Sequence, residues 1–502
     1  MNQKKAGVLL SYISEAIKIL TSLIYTPIML RLLGKSEYGL YQLVYSVVSY
    51  LGLLSLGFTS SYIRYYSRFK SEDNRDEISR LNGMFMVIFL VIAGITVICG
   101  FILLGNIRSV LGRGLTETEY ETARVLMVLM VFNLAVTFPN SVFDCITSAH
   151  EKFFFQRLLT VLQNLLNPFL TLPLLLMGYG SIGMVVAATG LTVAKCTANI
   201  WYVFWKLHEK FVFHKFKFSM LKDIGHFTFF IFLNQVVDQI NWSIDKFLLG
   251  RLLGTAAVAV YGLGGQINTM YMQLSSSVSS VFIPRVNALA AKGNRNHEIS
   301  DLFIRIGRIQ FLILSLVLTG FLFLGQPFMK IWGGSGYESS YYIVLWLIIP
   351  VTIPLIQNLG IEIQRAMNMH KARSIVYFLI AIFNILLSIP LIKFMGSIGA
   401  AMGTAISLLL GNGLFMNWYY RRKIGLDIKK FWKNIISFFP ALAVPIMFGI
   451  CIINFISIDN IGKLFLWGII YTIIFCISAW FLGMNHSEKV LIKSIMDRIR
   501  RK

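Results

Sequence analysis

The chain is dominated by apolar runs long enough to cross a bilayer, with lysines and arginines gathered between them. A hydrocarbon core of about 30 Å takes roughly 20 apolar residues per helix. Fourteen segments meet that length: 7–30, 38–63, 82–106, 121–147, 157–178, 181–205, 225–250, 256–284, 303–326, 341–362, 374–394, 397–420, 434–456 and 462–483. Barrel strands would alternate apolar and polar residues, and these runs do not. The predicted fold is all-α, a polytopic membrane protein of about fourteen transmembrane helices. Composition agrees: 56% of the 502 residues are hydrophobic and 14% are charged, where a soluble chain carries about 25% charged residues. That balance excludes a disordered chain, a disulfide scaffold and an ordinary soluble enzyme.

The formal net charge is +23. In a soluble protein such a charge would suggest nucleic acid. Its distribution points elsewhere. With the N-terminus in the cytoplasm, 34 of the 46 lysines and arginines fall on cytoplasmic segments, as the positive-inside rule requires. The largest groups run from Arg64 to Arg80, Lys206 to Lys222, Arg285 to Arg308 and Arg421 to Lys433, with another in the C-terminal tail. Both termini are therefore expected in the cytoplasm, and no nucleic-acid partner is expected. The first segment does not read as a cleavable signal peptide, because it is too long and Glu15 and Lys18 interrupt it. The connecting loops are too short to hold a globular catalytic domain, so no catalytic residue is expected. Cys99, Cys145, Cys196, Cys451 and Cys476 all lie in apolar segments without metal-ligand spacing. They read as small packing residues, and no metal site is expected.

The chain repeats itself at an offset of about 220 residues. Arg31-Leu-Leu-Gly34 recurs as Arg251-Leu-Leu-Gly254, and Tyr41 recurs as Tyr261. Asn74 matches Asn294, Gly105 matches Gly325, and His150 matches His370. After a short slip, Asn167 to Pro173 matches Asn384 to Pro390, and Gly180-Ser-Ile-Gly183 matches Gly396-Ser-Ile-Gly399. Six helices separate the copies, so both have the same orientation. Parallel repeats of this kind belong to transporters, whose sites lie near the midplane. The expected organisation is a six-helix lobe over 1–210, a second over 211–425, and two extra helices with a basic tail over 426–502.

Ionisable groups inside a membrane are expensive and mark a pathway or a partner. The first segment carries Ser11, Ser14, Glu15, Lys18 and Ser22, and the seventh carries Asn234, Gln235, Asp238, Asn241, Asp245 and Lys246. Their main positions follow i, i+3/i+4, i+7 spacing, which makes one stripe per helix. Two stripes at equivalent places in the repeat suggest a shared cavity; alternatively, Glu15 and Lys18 neutralise each other one turn apart. Gln42 and Tyr45 on the second segment, and Gln266 and Asn268 on the eighth, add polar surface suited to a sugar or a lipid headgroup. Tyrosines near span ends also form interfacial belts. Arg31 and Arg251 fall at the outer mouth, and Arg64 and Arg285 at the inner mouth. Arginine forks suit phosphate oxygens, and the same residues also snorkel to lipid headgroups.

Taken together, these features resemble the polysaccharide-transporter branch of the multidrug/oligosaccharidyl-lipid/polysaccharide exporter superfamily. The run Tyr25-Thr-Pro-Ile-Met-Leu-Arg-Leu-Leu-Gly34-Lys-Ser-Glu-Tyr-Gly-Leu-Tyr41 is similar to the opening of bacterial O-antigen and capsule flippases, where a Pro, a Leu-Gly and a Tyr-Gly recur. The likeness covers nearly the whole chain. It implies a flippase of the bacterial plasma membrane. Such a protein moves undecaprenyl-diphosphate-linked oligosaccharide from the cytoplasmic to the outer leaflet by alternating access, with a polysaccharide polymerase and export machinery as partners. It also implies a cationic cavity, with basic residues on the first, second, seventh and eighth helices; Lys18, Arg64, Lys246 and Arg285 occupy them here. Glu15, Asp238 and Asp245 make the set mixed, and are candidates for coupling to a proton or sodium gradient. No cofactor is expected. In this reading the diphosphate meets Lys18 and the glycan rides in the polar cavity. The rivals are a cation-coupled multidrug exporter of the same fold and a lipid II flippase. A membrane polymerase or ligase would need a large outer loop.

Overall fold

The computed structural model describes residues 3–490 except 113, 215–217, 292–295, 368 and 370, together with 493 and 497. Asn294 and His370, two of the repeat matches, lie outside the described residues, as does the side chain of Asn234. Among the described residues every regular element is helical, as the uninterrupted apolar runs require. Eight helices are long and apolar enough to cross a membrane, or ten if each of two bent pairs counts as one span.

Fourteen spans are expected from the sequence, and the difference has two sources. Two of the eight long helices, Ser14–Ser55 and Arg373–Ile424, run for 42 and 52 residues, well beyond the roughly 20 that one crossing takes. Each contains a glycine that is not helical, Gly34 in one and Gly396 in the other. The expected segments 225–250 and 256–284 fall on helices that carry polar stripes, which lowers their hydropathy.

The chain divides into two compact units, Met1–Gly262 and Leu263–Lys502. The first begins with α1 (Gln3–Ser49), which continues as a short 3-10 turn to Ser55, then α2 (Phe58–Ser71), α3 (Arg75–Gly105) and the short α4 (Ile107–Leu111). Next come α5 (Glu117–Ala149), α6 (Phe153–Leu176), α7 (Gly180–Trp201) and α8 (Phe218–Leu253), and then α9 (Thr255–Ser280), which runs on into the second unit. Each start has a local cause. Thr116 and Glu119 form a reciprocal capping box on α5, which satisfies two of the four orphan amides of a helix N-terminus. Asn74 caps α3 by accepting from the Glu77 amide. In this unit α1 packs along α6, and α3 and α7 pack along α5. An aromatic core joins α2, α3 and α5 through the buried Tyr62, Phe85, Phe89 and Phe143.

The second unit holds α10 (Ile283–Ala291), α11 (Asn296–Trp332), α12 (Ser340–Ile356), α13 (Leu359–Ala366), α14 (Lys371–Leu408) and α15 (Asn417–Tyr419). It ends with α16 (Ile428–Ile436), α17 (Pro440–Phe455) and α18 (Ile461–Ser478). Arg308 of α11 anchors the last helices. Its Nε donates to Glu488 Oε1 at 2.7 Å and its Nη2 to Glu488 Oε2 at 3.1 Å. The other donors reach the Gly483 carbonyl at 2.9 Å, Ser437 Oγ at 2.9 Å and the Asn434 carbonyl. All five guanidinium N–H groups are thus satisfied, which is what lets a charge sit there buried.

The repeat is visible in the backbone. Gly34 breaks α1 with φ +76°, and its counterpart Gly254 separates α8 from α9 with φ +87°. Gly180 opens α7 with φ +55°, and its counterpart Gly396 has φ +62° within α14. Positive φ favours glycine, so the recurrent Leu-Gly and Gly-Ser-Ile-Gly motifs are joints. A side-chain bond recurs too: Thr171 Oγ1 reaches Asn167 Oδ1 at 3.4 Å, and Ser388 Oγ donates to Asn384 Oδ1 at 3.1 Å. Short π-helical segments close the sixth and twelfth expected spans, at Tyr202–Lys206 and Tyr420–Ile424.

Candidate functional site

Within the first unit lies a cavity of about 650 Å³. That falls inside the roughly 300–1,000 Å³ typical of small-molecule sites. On α8, Gln235, Asp238, Gln239 and Trp242 line it. Their spacing of i, i+3, i+4 and i+7 puts them on one helix face. On α1, Tyr41, Tyr45 and Ser49 line it, four residues apart each time. Asn133 of α5 and Val185 and Ala188 of α7 complete the wall.

The polar groups are held in place. Gln239 Nε2 donates to Ser49 Oγ at 2.5 Å, which ties α8 to α1 across the cavity. Asn133 Nδ2 donates to Thr189 and Thr192 at 3.2 and 3.1 Å. The rings of Tyr41 and Tyr45 stack with centroids 6.3 Å apart. Gln235 Oε1 is buried and has no hydrogen-bond partner among the described residues. Asp238 is the one charged group among the described lining residues, and no lysine or arginine is among them.

Next to the cavity α1 and α8 come close together. A Cβ on Gly250 would press on the tip of the Leu43 side chain, so glycine eases this approach. Lys246 Nζ donates to Gln42 Oε1 at 2.9 Å, and Gln42 Nε2 donates to Tyr38 Oη at 2.8 Å. Asp245 is buried, and its Oδ2 accepts from Tyr261 Oη at 2.5 Å. The acid and base that are neighbours in sequence therefore bond to separate partners.

Three connectors meet at Glu119. Its Oε1 accepts from Ser36 Oγ at 2.5 Å and from Thr255 Oγ1 at 3.0 Å. Its Oε2 accepts from the Thr116 amide at 2.8 Å. Beside it, Glu37 Oε1 accepts from the Ser181 amide at 2.6 Å and from Ser181 Oγ at 2.9 Å. A carboxylate at the start of α7 is favoured by the helix dipole. At the other end of the unit, Tyr66 Oη and Glu209 Oε1 both meet His150 Nε2, at 2.8 and 2.6 Å. Burial pushes the Tyr66 phenol well above its ordinary pKa, so it stays protonated near neutral pH.

The candidate residues divide as follows. Tyr45 and Asp238 line the cavity; Gln42, Lys246 and Asp245 sit in the layer next to it. Glu15 is half-buried and Lys18 exposed on the first half of α1; neither lines the cavity, and no ion pair joins them. Arg31 and Arg251 are exposed beside the Gly34 and Gly254 joints, and Arg64 is exposed on α2. Gln266, Asn268 and Arg285 belong to the second unit, where the buried Asn268 faces Met272 Sδ at 3.7 Å and Arg285 is exposed.

Sequence reasoning passed over Ser49, Asn133, Gln239 and Trp242. Gln239 and Trp242 extend the stripe that starts at Gln235, so a longer helical reading would have included them. Asn133 is an isolated amide in an apolar run and carries no periodic signal. A second buried cluster was also unread: Asn199 Nδ2 donates to Asn140 Oδ1 at 3.0 Å and to Asp144 Oδ1 at 2.9 Å, between α5 and α7.

A family model described as "Polysaccharide biosynthesis protein" matches residues 5–290. The uncharacterized membrane protein EpsK of Bacillus subtilis is 22% identical, over 95% of this chain and 94% of its own length. A putative O-antigen transporter of Shigella flexneri is 19% identical, over 78% of this chain and 91% of its own. Among solved structures, the lipid II flippase MurJ in an inward closed conformation superposes with TM-score 0.73 at 17% identity, covering 95% of this chain and 98% of that one. An inward-facing multidrug resistance MATE family transporter of the MOP superfamily gives 0.66 at 15% identity, covering 84% and 96%. These likenesses identify the fold.

Proposed function

The chain belongs to the polysaccharide biosynthesis protein family, and from that premise we propose that it is a flippase for lipid-linked oligosaccharide. The cargo is an undecaprenyl-diphosphate-linked glycan, carried from the cytoplasmic to the outer leaflet of the bacterial plasma membrane by alternating access. Both termini face the cytoplasm. The observation that carries this reading is the cavity between α1 and α8, two helices that open the two copies of the repeat. The relative named as a putative O-antigen transporter supports it. The chain acts as a transporter rather than an enzyme, with a polymerase and export machinery downstream.

Asp238 faces the cavity and is the candidate carrier of a coupling proton or sodium ion; Glu15 and Asp245 are the alternatives. An inside-negative potential favours outward movement of an anion by about 2.3 kcal/mol per charge per 100 mV, so the diphosphate supplies part of the drive itself. A second reading, a cation-coupled drug exporter, draws on the same Asp238. Lipid II is a further cargo of the same chemistry.

The test is translocation in proteoliposomes. A labelled undecaprenyl-diphosphate oligosaccharide is placed in one leaflet and followed into the other, with and without a proton or sodium gradient. Protein-dependent flipping is expected. Gradient-driven efflux of a cationic dye without flipping would move the assignment to a drug exporter.

A further inference from the structure

We propose that α16 and the turn before it form a docking face for anionic phospholipid headgroups at the edge of the bilayer. The proposal needs only that the chain crosses a membrane, and it is independent of the cargo. α16 is nine residues long, about 14 Å at roughly 1.5 Å per residue. That is far short of a hydrocarbon core of about 30 Å. It meets α17 at a bend of 41°. Ile428, Phe431 and Ile435 are buried, and their i, i+3, i+7 spacing makes one face of the helix. Lys429 and Lys433 are exposed one turn apart on the other side. A short helix of this kind, apolar on one face and basic on the other, belongs in the plane of a membrane surface.

More cations stand beside it, and the support is rigid. Arg421, Arg422 and Lys423 are exposed in the π-helical segment that ends before Gly425. The Phe303 ring of α11 touches both Tyr420 and Phe431, with centroids 5.7 and 4.8 Å away, which brings the two basic stretches together. Trp432 Nε1 donates to Asn417 Oδ1 at 2.8 Å, and the Asp427 amide donates to Ser300 Oγ at 3.2 Å. Arg308 holds the far end of α16 through the Asn434 carbonyl and Ser437 Oγ. The lysines are thus carried on a fixed helix.

Charge and apolar surface together identify the partner. Several exposed cations of this chain are neutralised within one turn, as Arg68 is by Glu72, Arg124 by Glu121 and Lys463 by Asp459. Lys430 is neutralised by Asp301 at 2.8 Å. Arg421, Arg422, Lys423, Lys429 and Lys433 have no ion pair or hydrogen bond among the described residues. The acid between them, Asp427, is engaged as the cap of α16, accepting from the Lys430 amide at 2.9 Å. The face therefore calls for anions from outside the chain. Ile436 lies three residues past Lys433 and is 56% exposed, and Phe439 is 52% exposed at the bend. From there the exposed apolar surface continues along α17 through Val444 and Met447. The cations thus stand where hydrocarbon gives way to water, which is where lipid phosphates lie. A soluble anion would use the cations alone. A phospholipid uses both surfaces, with its phosphate on the lysines and arginines and its acyl chains against Ile436 and Phe439.

The experiment uses the full chain purified in a neutral detergent. Native mass spectrometry counts retained lipid, and thermal unfolding is followed in parallel. Phosphatidylglycerol, phosphatidylcholine and inorganic phosphate are added separately. Phosphatidylglycerol is expected to be retained and to raise the Tm, and the other two are expected to do neither at the same concentration. Lys429→Gln with Lys433→Gln should lower phosphatidylglycerol retention about fivefold or more. Arg68→Gln with Lys70→Gln, an equal loss of charge on α2, should leave it unchanged. All four residues are exposed, and gel filtration without lipid checks that each variant folds. Equal retention by the two variants means that α16 does not select the lipid, and overturns the proposal. Displacement of the lipid by inorganic phosphate also overturns it and marks a site for a soluble anion. Failure of the wild-type chain to retain phosphatidylglycerol above phosphatidylcholine overturns it as well and leaves the face to an acidic protein.

Discussion

Arg308 and Glu488 form a two-point ion pair sealed from solvent, with side chains 6% and 8% exposed. The pair joins α11 to the segment that follows the last helix, so the C-terminal helices are fastened to the body of the second unit rather than appended to it. Removing one partner strands the other as a buried charge, at a cost of about 3–5 kcal/mol. Glu488→Ala and Arg308→Ala should therefore each lower the Tm in detergent sharply and broaden the gel-filtration peak. The double variant Arg308→Met with Glu488→Met should recover most of that loss, because no uncompensated charge remains. A double variant as unstable as the singles would show that the pair is not what holds the helices.

Glu119 gathers Ser36, Thr116 and Thr255 around one carboxylate. Glu119→Ala removes the capping box, worth about 0.5–2 kcal/mol, and the bonds from two hydroxyls, each worth about 0.5–1.5 kcal/mol. The expected result is a lower Tm, with a cysteine placed at Ser36 labelled several-fold faster by a membrane-impermeant maleimide. Glu119→Gln keeps an acceptor and should show a smaller effect. Unchanged labelling in both would mean that these connectors are held by other contacts.

Gly34 has φ +76° and ψ 172°, and an added Cβ there meets no atom within 4 Å. The penalty of Gly34→Ala is therefore conformational alone, about 1–3 kcal/mol. Gly180→Ala should cost more. Its φ is also positive, and its Cβ would collide with the Glu37 carboxylate that caps α7. Thermal unfolding of the two variants side by side checks the order.

Lys18 is exposed and outside the cavity lining. If it holds the diphosphate, Lys18→Ala should reduce flipping of the prenyl-linked glycan at least tenfold and leave the Tm and the gel-filtration profile unchanged. Arg64→Ala, on α2 of the same unit, should reduce the rate less. Normal flipping in Lys18→Ala would remove Lys18 from the site.

The fold was legible because membrane helices announce themselves by length and apolarity, and because the repeat kept its joint glycines. Gly34 and Gly254 stand out in sequence for the reason they matter in structure: few other residues sit comfortably at positive φ. The α8 half of the cavity was legible through Asp238, since a polar stripe keeps its period wherever the helix packs. The α1 half was harder. α1 carries polar groups on both sides of its joint, at Ser14–Lys18 and at Tyr41–Ser49, and only packing decides which set meets α8. Asn133 and the Asp144 cluster were hidden for a different reason: they become meaningful only when helices distant in sequence bring their partners alongside.

The paired joints have a practical side. Gly34 and Gly254 are the same residue, at the same place in two copies of one design, with φ values only 11° apart. Each separates two helical stretches, Gly34 at the kink in α1 and Gly254 between α8 and α9. Each is thus the internal control for the other. Any difference in the effect of an identical substitution reports the surroundings, since the intrinsic preference of the residue cancels.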